Sequence, residues 1–381
     1  MDKQTLIIVV NEDRFFLSHR KDIGVAAQKK GWDVIIVAKD TGRRSEVEDL
    51  GLTFINLPIN PTGKNVVQEL KVLRFLRKLY KEHPDALVHH VGLKLLLWGT
   101  LSASSTHVRG VVNAVSGLGT LFAGGKRSKL AKVVFPLLRR CGRKFANIHY
   151  IFQNSHDRNV FASERILNKF NHHYIKGSGV NLSDFEYAPL PEELPLKVVF
   201  TGRMLKEKGV LDVIEVAKKL RPKYEDSVEF ILCGALSSNP SALSQKEIEK
   251  LIDGKYIQWR NHLQDVRPVL RESTVFLFPS LYGEGIPKSV IEASAVGRPI
   301  LTYDSVGCRD TVKQGRNGFA VPVRDCDKLA EKLDYLLSNR DVCEKMGEAS
   351  RELAEKHYDI RTVVRKHLEI YDIVSKKGKK L

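Results

Sequence analysis

The sequence predicts an α/β protein of two Rossmann-like domains, each built on a doubly wound parallel sheet, facing a cleft. Three observations predict this fold. Short apolar segments alternate with amphipathic helical segments, the alternation restarts midway, and a proline-rich stretch at 184–195 separates the two series. A chain of 381 residues also exceeds the size at which one hydrophobic core usually stops growing.

The predicted elements follow this plan in order. In the first series, strands are expected at 6–10, 34–37, 86–90 and 111–114, with helices around 17–30, 65–82 and 93–104. In the second series, strands are expected at 196–200, 228–233, 257–259, 275–278 and 299–302. We therefore predict an N-terminal domain over 1–183, a linker over 184–195 and a C-terminal domain over 196–359, followed by a last helix at about 360–381.

Composition narrows the class of protein. Apolar residues make up 43% of the chain and charged residues 28%, which is typical of a globular protein. The five cysteines have no Cys-x-x-Cys spacing, so neither a disulfide framework nor a zinc site is indicated, and a reducing cytoplasm is expected. The sequence shows no secretory signal and no apolar run of membrane-spanning length. We expect a location in the cytosol or on a membrane surface.

The net charge of +17 is concentrated in the N-terminal half. Residues 51–150 contain 16 Lys and Arg but only 3 Asp and Glu, whereas residues 191–381 contain 33 and 29. Such charge can bind nucleic acid or an anionic membrane. Nucleic-acid binding is not expected, because no helix-turn-helix, RNP or zinc-finger pattern is present and few aromatic residues lie among the cations.

Two segments, 65–82 and 126–145, combine basic residues with apolar residues at helical spacing. A basic amphipathic helix can lie on anionic lipid. The alternative is that each helix packs its apolar side into the N-terminal core. The segment 126–145 favours the membrane more strongly, because it has eight cations and no acidic residue.

The first motif with chemical content is a strand, an acidic loop and a helix over 275–299. Glu284 lies between two glycines in the loop, Pro287 suits the first position of a helix, and Glu292 falls within that helix. A helix N-terminus offers free N–H groups to an anion, and a loop carboxylate can bind sugar hydroxyls. The alternative is a structural turn with a solvated glutamate.

A second motif follows the predicted strand 196–200. Arg203 and Lys208 lie on either side of a tight loop that leads into a helix. The carboxyl end of a strand is the usual ligand position in an α/β sheet, and two cations there suit a diphosphate. Either cation alone is more typical of an ordinary surface charge.

Together these motifs resemble the family 4 glycosyltransferases of the GT-B class. The resemblance rests on Gly202-Arg203-(four residues)-Lys208-Gly209, on Glu284-(seven residues)-Glu292, and on the glycine motifs that begin at Gly307 and Gly315. It implies a retaining transfer of a sugar from a UDP-sugar, with Arg203, Lys208 and Glu284 as the catalytic residues. It also implies that the last helix packs back on the N-terminal domain. The resemblance implies these donor-binding residues: Gly202, Arg203, Lys208, Leu263, Glu284, Gly285, Ile286, Pro287, Lys288, Ser289 and Glu292.

The N-terminal half is similar to bacterial enzymes that build O-antigen, capsule or N-glycan oligosaccharides on a polyprenyl diphosphate. The similarity lies in the segments 9–20, 89–94, 113–119, 152–154 and 176–181. It implies a polyprenyl-diphosphate-linked saccharide as acceptor and a peripheral position on the inner face of the cytoplasmic membrane. Candidate acceptor or cleft residues are Arg14, His19, His90, Lys94, Ser116 and Gly117. For His90 the alternative is a packed core histidine.

The expected chemistry is electrostatic stabilisation of the departing nucleoside diphosphate, with no cofactor, no metal ion and no protein base. Glu284 and Glu292 resemble a glycosidase pair, but a hydrolase would not need two cations directed at a diphosphate. Two further alternatives remain at this stage. They are a UDP-sugar 2-epimerase-like enzyme of the same fold and a non-catalytic sugar-nucleotide-binding protein.

Overall fold

The two predicted series of strands form two separate sheets, one in each of two units of the chain. The computed structural model describes residues 4–60, 66–121, 128–237, 239, 241–281 and 283–377. Unit 1 comprises Met1–Ser178 and Ile360–Leu381, and unit 2 comprises Gly179–Asp359. Both sheets are parallel throughout, so the predicted fold class is confirmed.

The sheet of unit 1 has seven strands in the order β3-β2-β1-β4-β5-β6-β7. They are β1 (Thr5–Glu12), β2 (Asp33–Lys39), β3 (Thr53–Asn56), β4 (Leu87–Val91), β5 (Gly110–Val115), β6 (Ile148–Phe152) and β7 (His172–Tyr174). The order reverses between β1 and β4, as in a doubly wound sheet. Apolar side chains cover both faces, as expected for parallel strands buried between helices.

Alternate residues of β1 separate the two cores of unit 1. Ile7 and Val9 belong to one core, whereas Leu6, Ile8 and Val10 belong to the other. The helices that cover the sheet are α1 (Asp13–His19), α2 (Lys21–Lys29), α3 (Arg44–Glu48), α4 (Val66–Glu82), α5 (Leu93–Ala103), α6 (Ala131–Lys144) and α7 (Ser155–Ser163).

The sheet of unit 2 has six strands in the order β10-β9-β8-β11-β12-β13. They are β8 (Leu196–Thr201), β9 (Val228–Cys233), β10 (Ile257–Arg260), β11 (Val275–Phe278), β12 (Ile300–Tyr303) and β13 (Gly318–Val321). The remaining helices are α8 (Val210–Tyr224), α9 (Gln245–Glu249), α10 (Arg267–Arg271), α11 (Lys288–Val296), α12 (Cys326–Ser338), α13 (Arg340–His357) and α14 (Ile360–Lys377). The order reverses between β8 and β11.

The last helix, α14, belongs to unit 1. Its apolar side enters the core there through Val363, Ile370, Tyr371 and Val374. The Tyr371 hydroxyl lies 2.6 Å from Nδ1 of His89 on β4. The chain therefore crosses back to the first sheet at Asp359 and Ile360.

The predicted linker differs from the structure. Residues 184–195 belong to unit 2, and the unit boundary lies between Ser178 and Gly179 rather than at 183. Three arginines of unit 2 hold this segment by its carbonyl oxygens: Arg298 donates to Ala188 and Pro189, Arg340 donates to Leu190 and Pro191, and Arg351 donates to Phe185. Arg298 is fully buried, and hydrogen bonds to carbonyl oxygens offset part of the free energy that burying its charge costs.

Candidate active site

The candidate donor site lies where the strand order of unit 2 reverses. β8 and β11 are neighbours, with Val198 opposite Val275 and Val199 opposite Phe276. The loops after their carboxyl ends carry the two motifs that the sequence singled out. A reversal point in a parallel sheet leaves a crevice at those ends, because the two connections leave in opposite directions.

The two loops meet in an ion pair between Lys208 and Glu284. Lys208 ends a 3-10 turn at Lys206–Lys208 just before α8, and its Nζ lies 5.5 Å from the centroid of the Phe278 ring. The Ser280 hydroxyl lies 3.1 Å from Oε1 of Glu284. The two charged side chains are only 17% and 15% exposed, so Lys208 and Glu284 are held rather than free in solvent.

Two glycines allow these loops to pack closely. Gly209 has a φ of +78°, and a Cβ there would lie 2.0 Å from the carbonyl oxygen of Pro279. Gly307 has a φ of +86°, and a Cβ there would lie 1.9 Å from the carbonyl oxygen of Gly285. Any other residue would separate the backbones, so both glycines fix the position of Glu284 relative to Lys208.

Helix α11 begins one residue later than predicted. Pro287 is the N-cap, in an extended conformation, and Lys288 is the first helical residue. The first helical hydrogen bond runs from the Ile291 N–H to the Pro287 carbonyl at 3.2 Å. The first turn, which includes Lys288 and Ser289, precedes that hydrogen bond, so its N–H groups point out of the N-terminal end of the helix and suit an anion.

Glu292 occupies an unusual environment in α11. Its side chain is 15% exposed, and its nearest charged partner, Nζ of Lys288, lies 3.8 Å away. Burial raises the pKa of Glu292 to about 7, and the Lys288 ammonium only partly opposes this shift. The carboxyl group therefore keeps its proton to a higher pH than an exposed glutamate does.

The other predicted donor residues divide into two groups. Gly285, Ile286 and Pro287 are buried between Glu284 and α11. Gly202 lies at the end of β8, where its N–H donates to the Cys233 carbonyl at 2.9 Å. Leu263 follows β10, two strands from β8, and packs half-buried against the core. All of these donor residues except Leu263 therefore lie around the loops after β8 and β11. Leu263 lies further along the carboxyl edge of the same sheet.

Arg203 differs from Lys208 in its exposure. Its side chain is exposed, and no hydrogen bond or ion pair reaches it from the described part of the chain. It follows Gly202 directly, within the same loop as Lys208. Arg203 is thus a cation at the edge of the site.

In unit 1, four of the predicted acceptor residues lie just beyond the carboxyl ends of strands, and His19 lies at the far end of α1. Arg14 and His19 belong to α1, which follows β1, and Lys94 lies in the first turn of α5, after β4. Lys94 forms a 2.6 Å ion pair with Glu69. Ser116 and Gly117 follow β5, and Gly117 has a φ of +115°.

His90 was predicted as a cleft residue, and the structure instead shows a packed core histidine. It is fully buried, with Nε2 2.7 Å from the Tyr80 hydroxyl and Nδ1 2.8 Å from Oδ1 of Asn113. Burial lowers the pKa of His90 to about 4, against a small opposing effect of Asn113. The side chain is therefore neutral and does not contact a ligand from the strand end.

Sequence reasoning missed several groups that support the donor site. Ser280 and Phe278 contact the ion pair, and Asp310 accepts a hydrogen bond from the Gly307 N–H at 3.2 Å. Ser280 lies within the strand, loop and helix segment 275–299, and Asp310 lies within the glycine motif that begins at Gly307. Their position in those motifs could have marked Ser280 and Asp310 as site residues. Which groups they contact, however, depends on how the loops fold.

Two kinds of feature are absent from the described residues. No group of three or more His, Cys, Asp or Glu side chains in the described ranges is arranged to hold a metal ion. Within those same ranges, no helix has the length and apolar character needed to cross a membrane.

Comparison with known proteins defines the class. The family "Glycosyl transferases group 1" matches residues 186–353, and the family "Glycosyl transferase 4-like" matches residues 6–155. These two matches cover most of unit 2 and most of unit 1. Together with the two parallel sheets, they define a GT-B glycosyltransferase, and the chain belongs to family 4 of these enzymes.

Individual relatives agree with this class. The chain is 26% identical to the N,N'-diacetylbacillosaminyl-diphospho-undecaprenol alpha-1,3-N-acetylgalactosaminyltransferase of Campylobacter jejuni, over 95% of this chain and 98% of the relative. It is also 26% identical to the UDP-Gal:alpha-D-GlcNAc-diphosphoundecaprenol alpha-1,3-galactosyltransferase of Escherichia coli, over 79% of each chain.

A solved structure shows the same fold. The crystal structure of a glycosyltransferase from Rickettsia africae matches with a TM-score of 0.78 and 18% identity, over 98% of this chain and 99% of that one.

Proposed function

We propose that this enzyme transfers a hexose or N-acetylhexosamine from a UDP-sugar to a saccharide linked to a polyprenyl diphosphate, with retention of configuration at the sugar. The main support for the nucleotide-sugar donor is the ion pair of Lys208 with Glu284. It lies beside the N-terminus of α11, at the point where the strand order of the unit 2 sheet reverses. The acceptor half is supported by the relatives, both of which act on diphospho-undecaprenol-linked sugars.

The roles of the donor residues follow from their chemistry. Lys208, Arg203 and the N–H groups at the start of α11 supply positive charge where a diphosphate leaving group gains negative charge. Glu284 binds hydroxyl groups of the donor sugar and Glu292 binds the ribose. The acceptor hydroxyl attacks from the face that the diphosphate leaves, and a leaving phosphate oxygen takes its proton. The sugar C–O bond to the diphosphate breaks as the new glycosidic bond forms.

We further propose that the enzyme works on the inner face of the cytoplasmic membrane, held by unit 1. Helix α6 buries Val134, Phe135 and Leu138 in the core, so its apolar side has a structural role. Leu130 and Val133, at its N-terminal end, are nevertheless 53% and 56% exposed. They stand among exposed cations, a combination that suits an anionic lipid surface. Lys126 and Arg127 of the predicted segment lie outside the described residues.

Helix α4 has a similar character. Val72, Leu76 and Leu79 are buried, whereas Val67 and Leu70 are 62% and 42% exposed near the start of the helix. The helix also carries exposed cations along its length. The two helices thus present apolar and basic groups together, and both contribute to the proposed surface.

A screen tests the proposed reaction. Purified enzyme is incubated with a panel of UDP-sugars and short polyprenyl-diphosphate-linked saccharides, and products are read by mass spectrometry. We expect one donor to extend one acceptor by a single sugar. Conversion of a UDP-N-acetylhexosamine without an acceptor would instead indicate a 2-epimerase, and a bound donor that is never consumed would indicate a sensor.

A further inference from the structure

A cavity lies in unit 1, at the edge of the sheet opposite to the strand ends that carry the candidate acceptor residues. A cavity of about 320 Å³ opens between the C-terminal half of α6, the start of β6 and the loop from α7 to β7. Because α6 runs antiparallel to the strands, its last turn lies at their amino ends. β6 spans five residues, or roughly 16 Å at the usual rise per residue. The cavity is therefore separate from any site at the carboxyl edge.

Three arginines line this cavity. Arg139 and Arg143 come from α6, and Arg165 comes from the loop after α7. No acidic side chain lines the cavity within the described part of the chain. Within the described part of the chain, none of these three arginines forms an ion pair, whereas most arginines of unit 2 do. Three guanidinium groups without counter-charge around one cavity create a positive potential that favours an anion.

A buried amide in the wall adds a neutral donor. Asn171 is 7% exposed, and its Oδ1 accepts a hydrogen bond from the Asn168 N–H at 2.7 Å. Because Oδ1 accepts this hydrogen bond, the other terminal atom of the Asn171 amide is the donor Nδ2. Within the described chain Nδ2 has no hydrogen-bond partner, although its residue lines the cavity. Nδ2 is not one of the buried side-chain atoms that lack a partner, so it is accessible to solvent and can donate to a ligand oxygen in the cavity.

Arg165 stands in a conformation that disfavours any side chain. It follows the C-cap of α7 with a φ of 55°, in the left-handed region where glycine is preferred. Its N–H donates to the Ala162 carbonyl at 2.9 Å, and the Ile166 N–H donates to the Phe161 carbonyl at 3.2 Å. A glycine would close this helix end with less strain. The arginine thus adds a guanidinium group to the cavity at a local cost in stability.

From these observations we propose that the cavity binds a phosphate group. Guanidinium groups match phosphate oxygens in planar, paired hydrogen bonds, and an amide N–H completes the set. Two sources share this chemistry, the headgroup of an anionic phospholipid and free phosphate. Phe170, between Asn168 and Asn171, is 75% exposed, and an exposed aromatic beside a phosphate site suits the lipid interface.

Of the two phosphate sources, only the lipid headgroup depends on the proposed membrane surface of unit 1. The phosphate site itself depends on the cavity, the arginines and Asn171. A phosphate site would remain even if the enzyme used a different donor or acceptor.

The test compares two triple variants that remove equal charge. The cavity variant is Arg139→Gln, Arg143→Gln and Arg165→Gly. The control is Lys21→Gln, Lys29→Gln and Arg158→Gln, three exposed cations of unit 1 that lie outside α4 and α6 and do not line the cavity. Both are made in the full chain with Arg203→Ala and Lys208→Ala, so that the donor cations do not bind the probe. Inorganic phosphate is titrated by calorimetry, and vesicles of phosphatidylcholine with and without phosphatidylglycerol are used for sedimentation.

We expect the cavity variant to bind at least one probe about tenfold more weakly than its parent, and the control to bind that probe nearly unchanged. Selective loss of phosphate binding alone would identify free phosphate as the source, and selective loss of vesicle binding would identify the lipid headgroup. Equal losses in both variants, or no loss in either, would overturn the proposal. The single variant Arg165→Gly should not lower the Tm, which separates loss of binding from loss of fold.

Discussion

Lys208 and Glu284 form an ion pair across the two loops of the donor site, although each was predicted to contact a different part of the donor. A diphosphate that binds Lys208 must share this cation with the Glu284 carboxylate. The carboxylate also repels the diphosphate, so the pair holds the site in place while it weakens binding of the nucleotide. The effect of Glu284 on nucleotide binding can therefore be measured separately from its contact with the donor sugar.

We expect Glu284→Gln to bind UDP more tightly and to turn over more slowly. Loss of the carboxylate leaves Lys208 available to the diphosphate, which should lower the Kd for UDP by a few-fold, about 0.5–1 kcal/mol for a partly exposed pair. Loss of a contact to the donor sugar should lower kcat. Calorimetry with UDP and steady-state kinetics check the two halves, and weaker UDP binding would contradict this role of Glu284.

Removal of either donor cation should reduce transfer. A diphosphate deprived of one charge-assisted contact loses about 1.5–3 kcal/mol, so Arg203→Ala and Lys208→Ala should each lower kcat/KM by at least about tenfold. Lys206→Ala is the matched control, because Lys206 lies between them in the same loop but is exposed and pairs only distantly with Glu247. Near-native kinetics of both variants would rule out the assigned donor site.

Activity should persist after treatment with EDTA. Lys208, Arg203 and the start of α11 already supply the positive charge that a bound metal ion could otherwise supply. The assay is the rate before and after chelation, with Mg²⁺ or Mn²⁺ added back. Strict dependence on the added ion would show that the diphosphate needs a further cation.

Glu292 should make the unliganded protein less stable as the pH rises. Its pKa is raised from 4.5 to about 7, so the folded chain holds a proton that the unfolded chain releases. The stability linked to that proton is complete below pH 4.5 and is lost as the pH passes about 7, on the order of 2–3 kcal/mol. Glu292→Gln should therefore gain stability relative to wild type across this window and level off above it.

Denaturant unfolding at several pH values measures this effect. Glu192→Gln, at an exposed position, controls for the loss of a carboxylate. A difference between Glu292→Gln and wild type that does not change with pH would show that burial does not perturb Glu292.

The donor loops were predictable because their chemistry is local. Gly209 and Gly307 each meet a backbone carbonyl, and Pro287 marks the start of α11 to within one residue. These features occur in short motifs, and residues that are this close in the sequence remain close in the folded chain. The contact of Lys208 with Glu284 joins residues 76 positions apart, so the motifs indicated one ligand but not the ion pair.

His90 and the segment 184–195 were misjudged for the same reason. The strand pattern places His89 and His90 on opposite faces, but only the packing of Tyr80 and Asn113 decides that His90 is enclosed. The prolines of 184–195 are typical of a linker. Arginines more than a hundred residues later along the chain bind its carbonyl oxygens and make it part of unit 2.

The proposed reaction moves one sugar from a UDP-sugar to a polyprenyl-diphosphate-linked saccharide and retains its configuration. The most direct measurement combines the mass of the product with the anomeric coupling constant of the new linkage, determined by NMR on the isolated product. We expect the acceptor to gain one hexose or N-acetylhexosamine in the same α configuration as the donor, and Lys208→Ala to form little of it. A product of the opposite configuration, or donor turnover that does not require the acceptor, would contradict this account.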